Sequence, residues 1–262
     1  MQLLYRWLIY GNFWIALGAL GLTYANSMMI YGQVSVELLS ISFLITLAGY
    51  NLQRIRRGKE INSSGSKDSW LTKNTLPLVI ILLISFCSGV YFLIDFSVYK
   101  LIIFTPFLFI VTFYRWPVLG ISLRDIPFVK ILLISFCWAF TTVFLPDLFF
   151  GKESFSAWVY ILASFLYIVG ITIPFDSRDA ELDQVTKKTI PQLVGKKMAC
   201  FLAVLILLLV GLIFLLLSQK FMFLHCLLSA FIVSFAYKNR PDWYYSFILD
   251  GLLVIIPLYF LR

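Results

Sequence analysis

Residues 154–183 read SFSAWVYILASFLYIVGITIPFDSRDAELD, an apolar run that ends on a knot of charge. A bilayer span takes about 17–25 mainly apolar residues, and 154–174 supplies one. Directly after it come Asp176, Asp179, Glu181 and Asp183. Carboxylates are costly beside a bilayer, so a group of them at a helix end asks for a cation as its explanation. On a helix Asp176, Asp179 and Asp183 fall at i, i+3 and i+7, which puts them on one face. Like charges on one face repel unless something positive sits among them. Hard oxygen ligands suit Mg²⁺, which takes few carboxylates and completes its shell with water and phosphate. The bland alternative is a solvated acidic loop neutralised by Lys187, Lys188, Lys196 and Lys197. Pro191, a little further on, is expected to end any helix begun at Asp176.

The rest of the chain repeats the apolar theme. Of 262 residues 61% are apolar and only 13% charged, where a soluble domain carries about a quarter charged residues. Nine runs are long enough to span, at about 8–28, 34–53, 75–95, 98–114, 126–146, 154–174, 198–217, 219–237 and 243–261. They are continuous rather than alternating, which favours helices over an outer-membrane barrel. The expected class is therefore an all-α integral membrane protein, a single transmembrane domain over 1–262. Arg6, the first apolar run and Ala25-Asn26-Ser27 mimic a signal peptide, but the run is too long and is interrupted by Asn12, so it reads as a retained helix. Cys87, Cys137, Cys200 and Cys226 have no paired spacing and read as buried packing residues.

Orientation follows from the basic residues. Alternate flanks and loops hold 17 of the 21 Lys and Arg, and the opposite set holds only Lys100, Lys152, Lys220 and Arg262. This predicts an odd number of spans with the N-terminus cytoplasmic and the C-terminus outside. The net charge of +8 then reflects membrane orientation, and no nucleic-acid partner is called for. Small size and the lack of eukaryotic targeting signals point to a bacterial inner membrane. Two long loops, about 54–74 and 175–197, fall on the cytoplasmic side. A site capped by them lies beside the lipid and suits a substrate with a charged head and a long apolar tail.

The spacing Asp-x-x-Asp-x-x-x-Asp after the sixth span, followed by Thr189-Ile190-Pro191-Gln192-Leu193-Val194-Gly195, resembles the second acidic motif of the UbiA-type membrane prenyltransferases. The likeness extends to helix number, orientation and motif position, and so covers nearly all the chain. It implies nine helices bundled around a central cavity open to lipid. In that family Mg²⁺ bridges aspartates, here Asp176, Asp179 and Asp183, to the diphosphate of a polyprenyl donor. Loss of diphosphate gives an allylic cation that a lipophilic, often aromatic, acceptor captures. Asp176 and Asp179 are the catalytic pair in this reading.

The family's first motif, Asn-x-x-x-Asp-x-x-x-Asp, is degenerate here. Asn51 matches, but Ile55 and Lys59 stand where the aspartates belong, and Gln184 takes a place where a basic residue is common. Two interpretations stay open. Arg54, Arg56 or Lys59 neutralises the diphosphate directly, as Arg does bidentately, or the site has decayed and the fold serves another role. Asn51, Arg54, Arg124 and Lys130 are the candidate diphosphate-binding residues, against a plain positive-inside role for the cations. Asp125 is a candidate ion-pair partner within the loop of Arg124 and Lys130. Asp250 is a further candidate, because an isolated acid within a span is functional by default, against an internal hydrogen bond. His225 reads as a buried structural residue. A silent relative that binds isoprenoid lipid and a small transporter are the rival functions; against the latter, no inverted repeat with paired broken helices is visible.

Overall fold

The structure, a computed structural model, describes residues 2–60, 66–94, 96–114, 116, 122–126, 128–151, 155–180 and 189–260. Among these residues every regular element is helical. Among the described residues six helices are long and apolar enough to cross a membrane: Phe13–Tyr31, Val36–Ile55, Thr75–Leu93, Val129–Phe150, Ala157–Asp179 and Lys196–Leu216. The other three expected runs coincide with shorter apolar helices, Val98–Phe113, Lys220–Ser234 and Tyr244–Tyr259. At 1.5 Å per residue these reach only about 22–24 Å against a hydrocarbon core of about 30 Å.

The chain opens with α1 (Gln2–Tyr10) and α2 (Phe13–Tyr31). The single first helix expected over 8–28 is thus two, because Asn12 turns left-handed at φ 64°. Only glycine fits just before that turn, since a Cβ on Gly11 would meet the Trp7 carbonyl oxygen at 2.4 Å. Next comes α3 (Val36–Glu60), which runs straight through the basic residues that were expected to open a loop. Arg54 therefore stands on a helix wall. After α4 (Ser66–Lys73) and α5 (Thr75–Leu93), the fourth run is split into α6 (Val98–Ile103) and α7 (Thr105–Phe113).

A 3₁₀ turn, Leu123–Asp125, leads to α8 (Val129–Ala139), a π-helical turn at Phe140–Phe144 and α9 (Leu145–Phe150). Pro146 has no N–H for the carbonyl four residues back. That carbonyl, on Thr142, instead accepts from the Asn26 side chain of α2 at 3.2 Å. In a span each such group needs a partner inside the protein. The long α10 (Phe155–Asp179) continues past Pro174, so Asp176 and Asp179 end a membrane helix rather than begin a new one. Pro191 likewise sits in the first turn of α11 (Ile190–Val194) and starts a helix where it was expected to end one. Then come α12 (Lys196–Leu216), α13 (Lys220–Ser234), a second π turn at Tyr244–Leu249, α14 (Asp250–Ile255) and a 3₁₀ turn, Ile256–Tyr259.

Helix α2 packs between α3 and α14, and α10 between α8 and α12, with α13 backing α12 and α5 backing α3. The main core joins α2, α10, α12, α13 and α14; a second, aromatic one links α3, α6, α7 and the first π turn. Outside, Phe201, Leu205, Leu209, Leu212 and Leu216 form an exposed apolar face on α12, and Ile80, Leu83, Ile84 and Phe86 do the same on α5. Apolar surface on this scale is excluded from water. The chain is an integral membrane protein.

Candidate functional site at the charged end of a central cavity

A cavity of about 340 Å³ opens between α2, α3, α7, α8, α10 and α14. Its deeper wall is apolar and aromatic, with Ile45, Phe107, Trp138 and Ile168 among its residues. Its charged wall carries four cations, Arg54, Arg124, Lys130 and Arg178, and three carboxylates, Asp176, Asp179 and Asp250.

Asp176 is almost wholly buried and ion-paired to Lys130, with Nζ 2.5 Å from Oδ1. The pairing spans two helices: α8 starts at Val129, so its first turn brings Lys130 against the last turns of α10. Asp179 is held differently. Its neighbour Arg178 grips both oxygens, Nε at 2.7 Å and a terminal nitrogen at 3.3 Å. The guanidinium is itself flanked by the rings of Phe175 and Tyr245, at 5.5 and 5.2 Å, with Asp242 at 3.9 Å. Such stacking fixes a planar cation in one orientation.

Arg54 donates to the carbonyls of Tyr10 and Ile9, at 2.6 and 3.4 Å, and so ties the cavity wall to the end of α1. Arg124 is positioned by its backbone N–H, which donates to the Tyr114 carbonyl at 3.0 Å. Tyr114 itself lies within electrostatic reach of Arg124 and Lys130. Asp250, in the turn after the second π segment, faces the same cavity and acts electrostatically on Tyr50 and Arg178.

Asn51 is placed elsewhere. Fully buried, it donates to the carbonyls of Gly11 and Leu47 at 3.1 and 3.0 Å and accepts from Asn12 at 3.0 Å. Asn12 reaches the cavity wall and Asn51 does not. Asp183 lies outside the described residues, as do the side chains of Arg56 and Lys59. Cys137 faces the cavity and Cys87 the outer surface, whereas Cys200 and Cys226 are buried. The cysteines are thus not all packing residues. His225 lies in a separate buried cluster, 2.8 Å from the Tyr167 hydroxyl.

Several cavity residues had no flag in the sequence. Trp138 donates to the Tyr50 hydroxyl at 3.1 Å. Gln53 donates to the Val111 carbonyl at 2.5 Å, and its Oε1 is buried with no partner among the described residues. Tyr50, Gln53 and Arg54 are polar residues near the C-terminal end of a span at i, i+3 and i+4, a helical face that periodicity alone reveals.

No protein-family model matches the chain, and no curated protein is significantly similar to it. What bears on function is the site itself. Among the described residues no three His, Cys, Asp or Glu side chains form a cage for a metal ion. Asp176 and Asp179 do suit an ion that takes most of its oxygens from a phosphate ligand, since Mg²⁺ often uses only one or two protein carboxylates. Each already has a cation beside it, and each lines the cavity.

Proposed function

We propose that the chain is an integral membrane prenyltransferase of the UbiA type that transfers an isoprenoid group from a polyprenyl diphosphate to a lipophilic, aromatic acceptor. One observation carries the reading: residues from α3, α8, α10 and α14, remote in sequence, share one cavity that is charged at one wall and apolar at the other. An amphiphile with a polyanionic head and an apolar tail matches that polarity end to end.

In this reading Arg54, Arg124 and Lys130 meet the diphosphate and hold the leaving group in line. As the C–O bond breaks, its electron pair goes to the diphosphate, and fixed cations nearby stabilise that charge more in the transition state than before it. Mg²⁺ held by Asp176 and Asp179 supplies further charge neutralisation when bound. Phe107, Trp138 and Tyr50 offer π-faces to the allylic cation and exclude water that would quench it. The acceptor carbon then forms a bond to the allylic carbon and gives up its proton to the released diphosphate. The same reading takes the three shorter apolar helices as spans, which makes nine, with the N-terminus cytoplasmic in a bacterial inner membrane.

The test uses the purified chain in vesicles with an allylic diphosphate and Mg²⁺. The expected result is metal-dependent release of diphosphate that falls by about 100-fold or more in Asp176→Asn, the size of effect typical when one charge-stabilising group is removed. No turnover with any donor, together with undiminished isoprenoid binding in that variant, supports the silent relative instead. Uptake into vesicles that requires Asp250 supports the transporter.

A further inference from the structure

The two carboxylates of the charged wall are neutralised in unequal ways. Arg178 is adjacent to Asp179 in the chain and is flanked by two rings, with Asp242 at 3.9 Å. Lys130 comes from another helix, on a flexible stem, and directly follows a turn where Phe128 adopts a left-handed φ of 63°. Its ammonium is 2.5 Å from Asp176 Oδ1, with the two side chains 16% and 4% exposed. Lys130 and Asp176 also line a second space of about 10 Å³, together with Arg124, Phe128 and Thr189. A space of that size holds about one water-sized group.

An ammonium in contact with a shielded carboxylate occupies the ground that a metal ion needs. A divalent ion arriving alone meets a like charge at contact distance, in surroundings where water screens little. A diphosphate changes this balance. Its oxygens offer the ammonium a stronger partner inside the cavity that Lys130 already lines. We propose that Lys130 is the resident counter-ion of Asp176 and makes divalent-metal binding conditional on diphosphate. Metal and diphosphate then enter as a unit, and metal alone is refused. This rests on the transferase reading for its ligand, and it assigns Lys130 a positioning role beyond contact with the donor.

The test is equilibrium dialysis of the full chain in detergent micelles, with Mn²⁺ as the metal probe and inorganic diphosphate as the anion. Wild type is expected to retain Mn²⁺ only when diphosphate is present. Lys130→Met is expected to bind Mn²⁺ without diphosphate, tighter by on the order of 100-fold, the scale on which an adjacent charge alters a carboxylate's affinity for a cation. Lys130→Arg, which keeps the charge, is expected to behave as wild type. The double variant Lys130→Met with Asp176→Asn is expected to lose the gain. Equal Mn²⁺ affinity in wild type and Lys130→Met overturns the proposal, and so does tight Mn²⁺ binding by wild type alone, which needs no variant to fold. If wild type takes up Mn²⁺ and diphosphate jointly while Lys130→Met gains nothing, Lys130 loses its role and the transferase reading stands. A wild-type chain that retains no diphosphate under any condition removes the transferase reading and, with it, the coupling.

Discussion

Asn51 separates residue identity from residue role. Its type matches the first position of a diphosphate-binding motif, yet in the structure its amide is spent on Asn12, Gly11 and Leu47. It braces the left-handed turn between α1 and α2, and only Asn12 touches the cavity. Replacing Asn51 by Leu leaves a buried carbonyl and a buried amide without partners, which costs about 1–3 kcal/mol. The expected outcome is a lower unfolding temperature in detergent with diphosphate retention intact wherever the protein is folded. Weakened diphosphate retention at unchanged stability would show direct contact instead. Asp176, Asp179, Arg54, Arg124, Lys130 and Asp250 were all legible as candidates, because an ionisable group near a bilayer is conspicuous by its cost. Gln53 was not, because a lone amide at a helix end is unremarkable until its neighbours are known.

At the scale of elements, glycines decide how closely helices approach. A Cβ on Gly21 of α2 would lie 2.5 Å from the Leu253 carbonyl oxygen of α14, so the two backbones must move apart to admit it. A Cβ on Gly170 of α10 would meet the Leu207 side chain at 2.8 Å, which can turn aside, while the nearest backbone atom, the Ala203 carbonyl oxygen, is 3.4 Å away. Gly21→Ala is therefore expected to destabilise by about 1–3 kcal/mol, the usual cost of overpacking, and Gly170→Ala by less. Thermal unfolding of both variants in one detergent checks the order. Because α14 carries Asp250, Gly21→Ala is also expected to disturb the cavity. The heptapeptide Ile-Leu-Leu-Ile-Ser-Phe-Cys shows what sequence leaves open. At 81–87 it lies on the outermost span, only 17% buried, and at 131–137 on an inner one that is 56% buried. In both copies the serine, Ser85 or Ser135, points inward. Ile81 is only partly covered, whereas Ile131 is buried. Periodicity tells which face turns in, but the neighbours that cover it come from elsewhere in the chain. Helix ends were least legible: α3 and α10 outrun their apolar stretches because polar residues continue a helix readily once it leaves the lipid.

For the whole molecule, the all-helical membrane class was plain from composition, and the cavity was not, since it needs elements from across the chain. Orientation remains a matter of charge bias, and it is open to direct measurement. With the native cysteines replaced, Lys238→Cys is expected to react with a membrane-impermeant maleimide only from the cytoplasmic side, and Lys220→Cys only from the outside. Labelling of both from one side would remove a span between them and with it the nine-span reading.

The self-neutralised aspartates carry a consequence for the empty protein. Because Asp176 and Asp179 come with their own basic partners once the chain is folded, no divalent ion is needed to offset their charge. A chelator is accordingly expected to leave the unfolding temperature of the empty protein where it was.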